Sequence, residues 1–263
     1  MRKNAWGWLF AGWVAASGAA DLSADQVREQ LAQSNEQQPA DFSGKNLSNL
    51  DLSGLDFKKA NLAKANLFGT KLVGANLSGA NLSGANLDAA WLMRANFSKA
   101  DLSNASLFGP VIYSSLDINL AERPDFSGVN FAGARIIARF SQLNLHGANF
   151  AGAHMGVDLK NQPMGQMRND FSSADLVGAD FSGADVNRAL FAFANLAGAN
   201  FKGANLFRAD LSSADLTGAD MSGADLTEAN LNGTILKNAK GLDQVKGWGK
   251  AVNRDKAVIN EEF

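Results

Sequence analysis

The stretch Leu72–Leu92, LVGANLSGANLSGANLDAAWL, repeats one five-residue unit until Trp91 interrupts it. A period of five fits neither a 3.6-residue helix nor an open strand with alternating side chains. It does fit a short strand followed by a turn. Residues two apart on a strand point the same way, so the Ala and Leu of each unit share one side. The Asn between them points to the other side.

The same unit continues along most of the chain, with a large apolar residue at every fifth position. Regular runs cover residues 40–112, 124–155 and 169–238, and one step of four residues, from Ile136 to Phe140, shifts the frame. A single unit cannot bury its Ala and Leu, whereas stacked units can if later units lie over earlier ones. The sequence therefore predicts a solenoid.

The pattern A-(D/N)-L-x-x resembles that of the pentapeptide-repeat family. The resemblance implies an all-β fold, a right-handed quadrilateral β-helix with one repeat on each of four faces. At four repeats per coil the repeats would make about nine coils, and the usual inter-strand spacing of ~4.8 Å would then give a rod about 40 Å long. Residues 20 apart then stack, so Phe171 is expected to lie on Phe191 and Phe181 on Phe201 in the core.

The N-terminal residues 1–20 have the order typical of a secretory signal peptide, namely Arg2 and Lys3, an apolar run over 5–16, and small residues before Asp21. The apolar run is shorter than the roughly 20 residues that span a bilayer. We therefore predict a cleaved signal peptide, a periplasmic or otherwise extracytoplasmic location, and no membrane insertion after processing. The alternative is a retained, Trp-rich interfacial anchor.

The two ends of a solenoid need caps. Residues 21–39 predict a capping helix and linker, because Ser23 and Gln26 have the spacing of a capping box. Residues 239–263 predict a partly helical cap in which Trp248 covers the last coil, with a docking tail as the alternative. The interruptions at 113–124 and 156–169 are predicted to leave the stack as loops, which are either part of a binding face or insertions without a role.

Few residues offer reactive chemistry. The balance of 24 Lys and Arg against 26 Asp and Glu excludes the basic excess of a nucleic-acid-binding protein. There is no cysteine, and His146 and His154 fall at outward positions without neighbouring metal ligands. Because no catalytic or phosphate-binding motif occurs, we predict a protein that is not an enzyme, with no cofactor and no catalytic, cofactor-binding or metal-binding residues.

Two belts of acidic side chains surround the C-terminal half, one over residues 170–185 and one over 210–225, with Asp at each fifth position. A nearly neutral coil separates them. The belts either keep the protein soluble while avoiding like-charge stacking, or form a surface that attracts a cationic partner or ions.

Outward apolar side chains are the other departure from the repeat. Phe68 and Phe108 share a column with Asp88 between them. Trp91 and Met93 flank Leu92 on the adjoining face, and Phe193 and Phe207 are similar exceptions further along. Clustered aromatic and Met side chains are typical of a contact patch. The alternative is that the loop 113–124 folds back and covers them.

We therefore predict an exported, non-enzymatic binding or scaffold protein that engages an unidentified protein partner through these positions and loops. The family resemblance implies one alternative, a cytoplasmic DNA mimic that binds a type II topoisomerase. An enzyme with its site in the loops is a third hypothesis, which no motif supports. The sequence makes no prediction of the oligomeric state.

Overall fold

The structure is a computed structural model that describes residues 19–35, 37–115, 117–157 and 167–259. The predicted signal peptide, residues 1–20, lies outside these residues except for Ala19 and Ala20. The described part of the chain has one α-helix, α1, Ala24–Gln33. It also has two regular strands, β1, Ser106–Phe108, and β2, Arg135–Ile137. Four short 3₁₀ helices complete the elements: Leu120–Glu122, Leu242–Gln244, Trp248–Lys250 and Arg254–Lys256.

Each five-residue repeat is one outward bridge residue, one inward residue, a two-residue turn and an inward Ala. Leu77 and Ala75 are buried, while Asn76 between them forms parallel bridges to the coils on either side. The Asn76 amide also orders its own turn, because its Oδ1 accepts a hydrogen bond from the Ser78 N–H at 3.2 Å. The predicted division into inward and outward positions is confirmed.

Parallel bridges arrange the outward residues in four columns, one for each face of the rod. Faces 1 to 4 begin at Asp41, Asn46, Asp51 and Asp56, and the bridges run to the residue 20 positions later in the regular stretches. The outward residues of face 3 are Asp51, Lys71, Trp91, Val111, Arg139, Asp170, Leu190, Asp210, Asn230 and Val252.

The interruptions change the distance along the chain between stacked residues. Asn96 bridges Asp125 and Ser106 pairs with Arg135 past the first insertion. The next coil is one residue short, so that Asp125 bridges Asn144, and this shortening is the predicted frame shift. Asn169, the last residue of the second insertion, is fully buried beside this frame shift. Its Nδ2 donates to the carbonyls of Ile136 and Met155 at 2.8 Å, and its Oδ1 accepts from the Ala138 N–H at 2.9 Å.

The first insertion is fastened to the rod. Tyr113 is buried and its hydroxyl donates to the Ser141 carbonyl at 2.7 Å. The N–H and hydroxyl of Ser114 donate to the Glu122 carboxylate, and these bonds hold the pKa of Glu122 below its usual value. The Glu122 carbonyl in turn accepts from the Arg94 N–H at 2.8 Å. The loop is therefore packed along the coil.

The N-terminal end is covered by α1. Ser23 and Gln26 form a reciprocal capping box, and Val27 is buried against the core. Before the helix, Asp21 lies along the first coil, where its N–H donates to the Asn46 carbonyl at 2.7 Å and its carboxylate accepts from the Asn46 N–H at 2.8 Å.

The C-terminal segment differs from the prediction, because the solenoid continues past Leu236. Asp220, Asp225, Asn230 and Ile235 bridge residues 240, 246, 252 and 258, so the last faces take six residues each. The extra residue fits because each corner begins with a left-handed residue and continues as a 3₁₀ turn. These left-handed residues are Gly241, Gly247 and Asn253. Trp248 is part of this last coil and packs against the core.

Stacked phenylalanines fill the centre of the rod. The rings of Phe171 and Phe191 lie 5.0 Å apart and nearly parallel, and those of Phe181 and Phe201 lie 4.9 Å apart. Both predicted pairs are confirmed. Rings from the opposite faces 1 and 3 meet edge to face, as Phe181 and Phe191 do, an arrangement that suits the charge distribution of aromatic rings.

Candidate partner-binding surface

One side of the rod carries the departures from the repeat. We call it the irregular side and define it as face 3 together with the corner from face 2 to face 3 (corner A) and the corner from face 3 to face 4 (corner B). By contrast, the outward residues of face 1 are Asp or Asn in each coil from Asp41 to Asp220.

Corner A holds two exposed phenylalanines. Phe68 and Phe108 are 41% and 40% exposed and lie two coils apart, about 10 Å at the usual strand spacing. Asp88 lies between them and is buried, because its Oδ1 accepts from the Ser106 hydroxyl at 2.7 Å and from the Phe108 N–H at 2.8 Å. The predicted column is therefore present. It exposes two aromatic side chains, and the carboxylate between them is buried and hydrogen-bonded within the fold.

Trp91 adjoins this column on face 3. Its side chain is 41% exposed, and the Lys71 ammonium lies 5.8 Å from the ring centroid. Lys71 also lies 3.7 Å from the Asp51 carboxylate in the preceding coil. A hydrated lysine over one part of the ring leaves an apolar surface beside a charged one, which is typical of protein contact surfaces.

Met93 is not part of an exposed patch, contrary to the sequence-based expectation. It is only 8% exposed, because the first insertion returns to the coil at the next residue, where the Arg94 N–H bonds to Glu122. The insertion therefore accounts for the burial of Met93 and leaves Phe68, Trp91 and Phe108 exposed.

A second group lies further along the rod. Phe207 is on corner A and half-buried, with the guanidinium carbons of Arg188 and Arg208 at 5.9 Å and 5.0 Å from its ring centroid. Arg208 also bonds to the Glu228 carboxylate at 2.6 Å. Phe193 is on corner B and is 68% exposed. The structure therefore places all six candidate residues on the irregular side, in two groups.

Both insertions begin at the same side. The first leaves corner B after Tyr113, and the second leaves corner A after Val157. Neither the side of the insertions nor the position of Arg188 and Arg208 was predicted from the sequence. Both depend on the column register, which past an insertion is set by the number of residues that rejoin the stack.

The acidic belts have a structural role. The Asn coil between them donates to the first belt, with Asn200 Nδ2 to Asp180 Oδ1 and Asn205 Nδ2 to Asp185 Oδ1, both 2.9 Å. Such amide bonds between coils run from the later residue to the earlier one, as in Asn76 to Asp56 at 2.8 Å. In the second belt, hydrogen bonds from Ser222 and the charges of Lys202 and Lys240 hold the pKa of Asp220 below its usual value.

Among the described residues, no group of three or more His, Asp or Glu side chains is arranged to hold a metal ion. No helix in the same part of the chain has the length and apolarity needed to cross a membrane.

The four bridge columns define the class of protein as a four-sided parallel β-solenoid of five-residue repeats. The family model of pentapeptide repeats matches the chain in 8 copies over residues 40–72, 70–109, 170–206 and 204–240, more than half of its length. The chain belongs to the pentapeptide repeat family, whose members form right-handed quadrilateral β-helices and are generally structural or binding proteins rather than enzymes.

Several solved structures are similar to the chain. HetL, a pentapeptide repeat protein involved in heterocyst differentiation regulation in the cyanobacterium Nostoc, is 28% identical, with 90% of this chain and 94% of that chain covered and a TM-score of 0.40. A pentapeptide repeat protein from the Arabidopsis thaliana thylakoid lumen is 31% identical over 44% and 65% of the two chains, with a TM-score of 0.26. Full-length QnrB1, a plasmid-mediated fluoroquinolone resistance protein, is 19% identical over 84% and 92%, with a TM-score of 0.38. The comparison with curated proteins found no match.

Proposed function

We propose that this protein is a non-enzymatic binding or scaffold protein that holds a protein partner on the irregular side of its solenoid. The observation that carries the proposal is the exposure of Phe68, Trp91 and Phe108 on neighbouring coils. Regular repeats have small polar residues at such positions, so the three aromatic side chains add apolar surface that the fold does not need.

The rigidity of the rod supports this function. The side chains project from backbone that bridges both neighbouring coils, for instance Trp91 to Lys71 and Val111. Aromatic side chains on a fixed backbone lose little conformational freedom on binding, and they dominate the energetics of many protein interfaces. The packed first insertion extends the surface beside Met93.

We also propose that the protein acts outside the cytoplasm, where the signal-peptide pattern of residues 1–20 would direct it. The DNA-mimic alternative would need a continuous acidic surface. Here the acidic belts alternate with an Asn coil, and the irregular side carries Arg188 and Arg208. These features favour the binding or scaffold function.

Site-specific photo-crosslinking in cells tests the proposed surface. A photoreactive phenylalanine at position 68, 91 or 108 should give a protein adduct. The same group at position 78 should give none, because Ser78 lies at the equivalent turn position on the opposite corner of the same coil as Phe68. Equal adducts from all positions, or none from the three aromatic positions, would contradict the proposal.

A further inference from the structure

We propose that the partner segment that binds the irregular side is rich in carboxylates, and that Arg188 and Arg208 beside Phe207 recognise it. This inference rests on the proposed function and names the chemistry of the partner. Two guanidinium groups lie within 6 Å of one ring, whereas a single carboxylate, Glu228, bonds to Arg208. Within the described residues Arg188 contacts the ring without an ion pair, so one guanidinium group of the cluster is available to a carboxylate of a partner.

The distribution of basic side chains supports a specific role for arginine. Among the described residues between 41 and 239, those on the irregular side are mostly arginine, namely Arg94, Arg123, Arg139, Arg168, Arg188 and Arg208. Those on the two other corners are lysine, namely Lys45, Lys58, Lys59, Lys64, Lys99, Lys202 and Lys237. The exceptions are Lys71 on face 3 and Arg135 on face 2. Lysine is sufficient for solubility, so the separation indicates that the irregular side uses a property of arginine.

That property is the planar guanidinium group. It can lie against an aromatic ring and still present N–H donors at its edge to both oxygens of a carboxylate. Four cation–π contacts lie on the irregular side, and three of them use arginine. Arginine and aromatic residues are also the types most enriched at protein interfaces, where lysine is depleted.

The surrounding acidic residues favour a protein segment over a polymer of phosphates. Asp210 on face 3 is two residues from Arg208, and Asp185 of the first belt and Asp225 of the second lie on face 2, which adjoins corner A. A nucleic acid, with a charge at each phosphate, would be repelled by these carboxylates. An acidic peptide with spaced carboxylates can reach the arginines and place its apolar side chains on Phe207.

A binding measurement with a defined probe tests the inference. The probe is a fluorescently labelled 12-residue peptide of alternating Glu and Leu, titrated at low salt with the full chain. The double variant R188E/R208E should weaken binding at least tenfold. The control K64E/K202E changes the net charge equally on the corner from face 1 to face 2, and it should stay within twofold of the unchanged protein.

Equal weakening by both variants would show general electrostatic attraction and overturn the inference, as would the absence of peptide binding at low salt. Tighter binding of a DNA duplex that depends on the same arginines would assign the site to phosphates and overturn it too. Circular dichroism checks that R188E/R208E keeps the fold of the unchanged protein. If it does not, R188Q/R208Q replaces it in the binding measurement. Adducts from positions 68, 91 and 108 without peptide binding would remove this inference alone and leave the proposed function standing.

Discussion

At the scale of single residues, the outward Asn or Asp of each repeat has two structural tasks. Its Oδ1 accepts a hydrogen bond from the N–H two residues later, as in Asn200 to Lys202, which shapes the turn. An Asn also donates through Nδ2 to the preceding coil, as in Asn200 to Asp180. These tasks explain why the outward position is so uniform on face 1. Residues that replace Asn or Asp on face 3, such as Trp91, give up both bonds.

Glycine is required at some corners for space as well as for conformation. Gly247 and Gly218 both have φ +70°, but a Cβ on Gly247 would lie 2.6 Å from Thr227 Cα and 2.7 Å from Thr227 N, whereas a Cβ on Gly218 would meet no atom within 4 Å. We expect G218A to cost about 1 kcal/mol from the left-handed backbone alone. G247A should cost about 1–3 kcal/mol more, because the backbone must shift.

Urea unfolding together with amide hydrogen exchange separates the two variants. G247A should lose protection over residues 240–258, and G218A should keep it. Equal losses of unfolding free energy in the two variants would show that the last coil does not pack closely on Thr227 at Gly247.

At the scale of elements, the structure follows the sequence where the determinants are local. The Ser23 and Gln26 spacing predicted the capping box of α1, and both hydrogen bonds are present. The C-terminal coil shows the limit of this reasoning. Its six-residue period is visible at Gly241, Gly247 and Asn253. The 3₁₀ turns that fit six residues onto a five-residue face, however, depend on packing against the preceding coil.

The frame shift at face 3 depends on one side chain. Asn169 is buried and its amide bonds to two carbonyls and one N–H, so N169A would leave three backbone groups without partners. At about 1 kcal/mol or more for each group, we expect a loss of about 3 kcal/mol or more in unfolding free energy. Urea unfolding with an unchanged m-value would measure it.

The matched control is N195A. Asn195 is exposed, and its Oδ1 accepts one long bond, 3.4 Å, from the Ala197 N–H. Its loss should cost less than about 1 kcal/mol. A similar cost for the two substitutions would mean that the frame shift is held by the surrounding core instead of by the Asn169 amide.

At the scale of the whole molecule, the four-sided fold was predictable and the assignment of residues to sides was only partly so. Within a regular stretch, a separation of 20 places Phe68 and Phe108 in one column. Past the insertions the separation becomes 29 at Asp101 and Asn130, 19 at Asn130 and Asn149, and 31 at Asn149 and Asp180. The length of an insertion does not reveal how many residues rejoin the stack, so Phe207 could not be placed on corner A from the sequence.

The proposed export concerns the whole chain, and it predicts the mass of the mature protein. Intact mass spectrometry after expression and cell fractionation should find a chain beginning at Ala20 or Asp21 outside the cytoplasm. The variant R2E/K3E should retain the precursor, because the basic residues before the apolar run are part of the signal. An intact chain beginning at Met1 in the cytoplasm would contradict export and favour the topoisomerase-binding alternative.

The amide bonds between coils give the rod a direction of growth. Where an outward Asn bonds between coils, its Nδ2 donates to an acceptor in the coil that was made before it, as Asn61 does to Asp41 and Asn230 to Asp210. The side-chain donors of a coil therefore find their acceptors already in place, while backbone N–H groups such as that of Leu47, which donates to the Asn66 carbonyl, are satisfied when the next coil is added. Under the proposed export, a chain that crosses the membrane N-terminus first can fold vectorially, one coil at a time, on the template that α1 and the first coil provide.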